Sequence, residues 1–93
     1  MGFEWDEPKS DVCFQNKGFD FAYAAHAFFD PGRLVHADSR LNYGEERFQV
    51  TGKIKGRLYV VVCTLCGEVT RIISARKANS REIQHYENST NEN

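Results

Sequence analysis

The stretch "ERFQVTGKIKGRLYVVVCTLCGEVTRIISAR", Glu46 to Arg76, decides the fold. Its first part alternates at the strand period: Phe48 and Val50 take one side, and Arg47, Gln49, Thr51 and Lys53 take the other. Lys55 and Gly56 then make a hairpin turn. "RLYVVVCTL", Arg57 to Leu65, is apolar on both faces through Val60 to Val62, which places it at the centre of a sheet. Cys66 and Gly67 reverse the chain into "EVTRIISAR". Three strands joined by two tight turns specify an antiparallel meander.

Toward the N-terminus, "RLVHAD" (Arg33 to Asp38) reads as a further strand, joined to the meander by a loop that turns at Asn42 to Gly44. Before it, "DFAYAAHAFFDP" has helical spacing. Asp20 caps it, Phe21, Ala24 or Ala25, Phe28 and Phe29 repeat as core residues, and Pro31 ends it. An earlier helix runs from about Glu7 to Asn16, capped by Asp6, with Pro8 in its first turn and Gly18 at its end. "GFEW", Gly2 to Trp5, is an edge strand or an N-terminal staple. Toward the C-terminus, Asn79 or Ser80 caps a last helix, Glu82 takes the reciprocal position after Asn79, and Ile83 and Tyr86 face inward. From Asn88 to Asn93 the chain is polar and expected to fray.

This order specifies one α+β domain over residues 1–87. Its antiparallel sheet has four to five strands with helices packed on one face, and the other face is left as a polar, open platform. With 41% hydrophobic residues, 93 residues support one core and no second. No apolar run approaches the ~20 residues that span a bilayer. The opening "MGFEWDEPKSD" lacks the apolar segment of a signal peptide, so a cytoplasmic location is expected. Cys63 and Cys66 have the spacing of half a zinc site. Without a second pair they read as a strand residue and a turn residue, and neither a metal nor another cofactor is expected.

The net charge of -1 hides an uneven distribution. Met1 to Glu46 carries 4 Lys/Arg against 9 Asp/Glu, whereas Arg47 to Arg81 carries 8 against 1. Such a basic block in a near-neutral chain is the footprint of a polyanion-binding surface. Strict alternation in "RIISAR" puts Arg71, Ile73 and Ala75 on one side, with Ile72, Ser74 and Arg76 on the other. One arginine therefore meets a largely apolar face and needs a carboxylate or phosphate partner, with Glu45 and Glu46 as candidates. Arg76 also precedes a helix N-terminus, where a phosphate is favoured.

There is no P-loop, no paired-carboxylate cluster for magnesium and no His pair at ribonuclease-like spacing. The remaining route to RNA cleavage is attack of the ribose 2′-OH on the adjacent phosphate. It needs alignment, arginine charge against the developing phosphorane, and a proton acceptor and donor. For the acceptor, Glu45, Glu46, Glu82, Lys17, His85 and Tyr86 all stay open. The competing classes are a non-catalytic nucleic-acid platform and a protein-interaction module.

"FEWDEPK", "FDFAYAAHAFFDP", "GEERFQVTG", "GRLYVVVCT" and "RIISARKANSREIQHYE" together resemble the BrnT family of bacterial toxins, from Phe3 to about Glu87. The resemblance implies a RelE-like fold and a toxin of a type II toxin–antitoxin pair that cleaves RNA without a metal and halts translation. It also implies a BrnA-like ribbon-helix-helix antitoxin, with DNA met only through the operon-repressing complex. By motif, the implied catalytic groove is formed by Arg57, Arg71 and Arg76 and the helix bearing Arg81, Glu82 and Tyr86. Lys17 of "NKGF" matches the family's Lys-His-Gly stretch, here without the histidine, and Lys77 of "SARKA" stands where many relatives carry arginine. Lys17, Arg47, Lys53, Lys77 and Arg81 are the expected RNA contacts.

Overall fold

A computed structural model describes residues 2–38 and 46–90. The expected turn at Asn42 to Gly44 lies outside the described residues, as does Glu45. The elements are β1 (Gly2–Trp5), α1 (Glu7–Lys17), α2 (Phe21–Ala24) continued by a 3₁₀ turn (Ala25–Phe29), β2 (Leu34–Asp38), β3 (Arg47–Ile54), β4 (Arg57–Cys66), β5 (Val69–Lys77) and α3 (Ser80–Thr90). The class is α+β, as expected, with five strands in the order β1-β5-β4-β3-β2. The strand that is apolar on both faces, β4, is the middle one.

The sheet is mixed rather than wholly antiparallel, because β1 lies parallel to β5 at the edge. "GFEW" enters next to the last strand of the meander, and α1 and α2 occupy the crossover that a parallel pair requires. Lys55 and Gly56 both have positive φ, 49° and 82°, the geometry that matches a two-residue hairpin to the strand twist.

The local signals act as read. The Asp6 carboxylate accepts from the Lys9 amide, the Asp20 carboxylate from the Tyr23 amide, and Gly18 ends α1 with φ 84°. Asn79 and Glu82 form the reciprocal cap of α3, each side chain accepting from the other's amide at 2.9 Å. α3 runs on through Thr90, so the segment expected to fray from Asn88 begins as helix.

Tyr59, Val61 and Cys63 of β4, Val50 and Ile54 of β3, and Ile72 and Ala75 of β5 share one sheet face. They form the core with Cys13, Phe19, Phe21, Ala24, Ala27 and Phe28. Gly52 lets the 3₁₀ turn approach, since a Cβ there would lie 2.2 Å from the Ala27 carbonyl oxygen. Phe29 and Ile83, both read as inward, are exposed, and so are Val12 and Phe14 of α1. α3 does not join the other helices. Tyr86 is buried with Leu58 and Val60, whose register places them on the opposite face, so the platform is open only in part.

Candidate active site

The bulge decides which side chains meet. Val62 pairs with Ser74 and Cys63 with Ile72, leaving Ile73 as the extra residue in β5. Alternation is reset there, so Ile72 and Ala75 both enter the core, while Arg71 and Arg76 both emerge on the opposite face. The sequence expectation that the two arginines point to different faces is thereby corrected. Neither is buried in the apolar core.

That face is assembled from the register. From β3 come Arg47, Gln49, Thr51 and Lys53. Val60 and Val62 come from β4, and Arg71, Ser74 and Arg76 come from β5. α3 lies across one half with Tyr86 turned down and Ile83 at its edge, lining a cavity with Leu58. At 100° per residue, Glu82, His85 and Ser89 then line the flank toward the open half, and Glu87 lines the other. The open half is a polar shelf with a helical wall.

Each shelf arginine stands opposite a carboxylate. Arg76 is held by Glu82 in a two-point ion pair at 2.7 and 2.8 Å, and Glu82 is fixed in turn by the Asn79 amide. Arg71 pairs with Glu4, its register partner on β1, at 2.7 Å. The partner expected from Glu45 or Glu46 comes instead from the edge strand, because β1 runs beside β5. The hydrogen bond it donates to the Glu4 carboxylate holds the Arg71 guanidinium above its ordinary pKa. Arg47 pairs in register with Asp38. The basic block of the sequence is therefore met in space by Glu4 and Asp38 from the N-terminal half and by Glu82 of α3. It survives as positioned arginines rather than as bare charge.

Tyr86 is only 4% exposed. Its hydroxyl donates to Asp30 at 2.5 Å, and burial followed by that bond pushes it up to about 12. Such a phenol is an anchor. It is not poised to exchange a proton near neutrality. Asp30 also accepts from the Lys53 and Gly32 amides. Burial works to raise its pKa, but these bonds outweigh it and hold the carboxyl below its usual range. Lys53 lies with its ammonium 5.5 Å from the Tyr86 ring centre.

Four expected site residues lie elsewhere. Arg57, at the hairpin end, borders a cavity of about 240 Å³ with Glu87 and Ile83, so α3 separates it from Arg71 and Arg76. Lys17 and Lys77 share a cavity of about 390 Å³ on the other sheet face with Phe14, Tyr23 and Tyr59. Lys77 follows Arg76 by one residue, and alternation alone sends it there. The Lys17 ammonium donates to the Ala75 carbonyl at 2.8 Å. Arg81 is exposed on the outer side of α3. Cys63 is buried, with its thiol raised to about 11 by burial, and Cys66, three residues along the strand, is exposed.

One juxtaposition runs against the sequence reading, which found no His pair because the two histidines are far apart along the chain. His36 of β2 and His85 of α3, 49 residues apart, bring their rings to 5.6 Å between centres. His36 is the register partner of Gln49, on the shelf side.

No helix among the described residues is long and apolar enough to cross a membrane. No curated protein matches the chain. The family model described as the ribonuclease toxin BrnT of type II toxin–antitoxin systems matches residues 5–82. This span holds β2 to β5, the bulge and the Arg76–Glu82 pair. The chain belongs to the BrnT family of ribonuclease toxins of type II toxin–antitoxin systems.

Proposed function

We propose that this toxin is a metal-independent endoribonuclease, with the shelf beside α3 as its active site. The observation that carries this reading is the Ile73 bulge, which sets Arg71 and Arg76 on one face with Arg47. A strand of RNA lies along the shelf. The ribose 2′-OH attacks the adjacent phosphorus, and Arg76 meets the developing dianionic phosphorane with a fork that matches phosphate oxygens. Glu82 orients that fork, and Arg71 and Arg47 hold the flanking phosphates. Exposed ion pairs such as Arg71–Glu4 contribute little to stability, so a phosphate exchanges for the carboxylate at small cost.

Lys17 and Lys77 serve a strand that continues around the end of β5 into the aromatic-lined cavity. Cleavage of messenger RNA in the bacterial cytoplasm then stops translation. In the same proposal a BrnA-like ribbon-helix-helix antitoxin occludes the shelf, and DNA is contacted only through that complex.

The test is incubation of the purified chain with RNA in EDTA, followed by end-group analysis. Fragments ending in 2′,3′-cyclic phosphate and 5′-OH are expected. A requirement for magnesium sinks the reading. Salt-dependent binding without cleavage supports a non-catalytic platform instead.

A further inference from the structure

From the geometry we infer that His36 and His85 are the general base and general acid of the cleavage, a reading that rests on the nuclease proposal above. Transfer of the 2′-OH proton and protonation of the departing 5′-oxygen need two groups. One must be proton-free and one protonated, a few ångströms apart. Imidazole is the side chain that populates both forms near neutral pH.

The two rings are 5.6 Å apart and tilted by 40°, and both residues are exposed, so solvent and substrate reach them. They are linked to the arginine face through α3. His85 is one helical turn from Glu82 on the same flank of α3, a spacing that brings Cβ atoms to about 5–6 Å. Glu82 holds Arg76 through two hydrogen bonds. Arg76, Glu82, His85 and His36 thus follow one another from β5 along α3 to β2. The other candidates are less suited. Tyr86 is locked to Asp30, and Glu82 already accepts from the Arg76 guanidinium and the Asn79 amide.

In the step itself, the O2′–P bond forms and the P–O5′ bond breaks. The neutral imidazole takes the 2′-OH proton while the imidazolium delivers its proton to O5′. The products are a 2′,3′-cyclic phosphate and a 5′-hydroxyl. The rings are left with exchanged protonation states, which water resets. The charged groups around them are Asp38 and Arg47 along the strands, and Arg81 and Glu82 on the helix.

The test uses the full chain and an RNA oligonucleotide carrying a cleaved link, in EDTA. His36→Phe and His85→Phe keep a ring at each position and remove the proton-transfer atoms. Each is expected to lower kcat by about 10²–10⁴-fold with little change in RNA binding. A second oligonucleotide replaces the bridging 5′-oxygen with sulfur, whose thiolate leaves without protonation. One variant, the one lacking the acid, is expected to recover most of its rate on this substrate, and the other is not. If the wild type cleaves in EDTA and both Phe variants match it, the pair is only a ring stack, and this inference is overturned while the nuclease reading stands. If both variants lose activity and sulfur rescues neither, the assignment of an acid to the pair is overturned. A wild type that leaves the RNA intact in EDTA removes the nuclease reading, and the pair with it.

Discussion

The Tyr86 hydroxyl donates to the Asp30 carboxylate at 2.5 Å, joining the last helix to the turn that precedes β2. Asp30 also takes the Lys53 amide, so one carboxylate ties α3, β3 and the chain before β2 together. Tyr86→Phe removes a charge-assisted bond and is expected to cost about 1.5–3 kcal/mol. Thermal unfolding checks this, at roughly 4–8 °C in Tm per kcal/mol for a domain of this size. An unchanged Tm shows that α3 is held by other contacts.

The same pair predicts a pH window. Asp30 titrates below its ordinary 3.8 in the folded chain, so its stabilisation is present above that value and lost as pH falls further. Tyr86 is raised from 10 to about 12, so its contribution is full below pH 10 and is lost as pH rises through 12. Denaturant midpoints measured across pH are expected to fall at both ends. Tyr86→Phe flattens the alkaline fall.

Arg76→Ala is expected to lose about 2–4 kcal/mol of transition-state stabilisation, by analogy with a removed oxyanion donor. That is roughly 30- to 1,000-fold in kcat/KM. Glu82→Gln leaves an acceptor for the Asn79 amide and removes the competing charge. RNA binding should tighten by about five-fold, the equivalent of ~1 kcal/mol. If kcat instead falls a thousand-fold, Glu82 is itself the proton acceptor.

Lys77→Ala tests whether the cavity across the sheet belongs to the binding path. It is expected to raise KM several-fold at unchanged kcat, and to flatten the slope of log K against log salt by about 0.7, the value for one single-strand phosphate contact. Equal salt slopes for mutant and wild type exclude the cavity from that path.

Gly52→Ala drives a methyl into the Ala27 carbonyl at 2.2 Å, backbone against backbone, where neither side yields cheaply. The expected cost is about 1–3 kcal/mol or more, read by thermal melting. A mutant as stable as wild type shows that the 3₁₀ turn can shift.

The meander from Arg47 to Lys77 was legible because its turns and apolar runs are local: Lys55–Gly56 allows one hairpin, and Val60 to Val62 allows one place in the sheet. The caps of Asp6, Asp20 and Asn79 were legible for the same reason. The direction of β1 was not, since nothing within "GFEW" says which strand it meets. The bulge at Ile73 was hidden as well. "RIISAR" fits strict alternation, and only packing of both Ile72 and Ala75 into one core forces the extra residue. That single offset moves Arg71 onto the face of Arg76. Partners such as Glu4 for Arg71, Asp30 for Tyr86 and His36 for His85 are long-range contacts, which no window of sequence contains.

Parallel pairing of β1 with β5 joins the first strand made to the last. During synthesis Gly2 to Trp5 leaves the ribosome long before Val69 to Lys77, and α3 follows later still. Such distant pairings form slowly, after the local hairpins. The face that carries Arg71 and Arg76 is therefore the last part of the sheet to be framed on both sides, because β5 gains its second neighbour only when the two ends of the sheet's chain path meet.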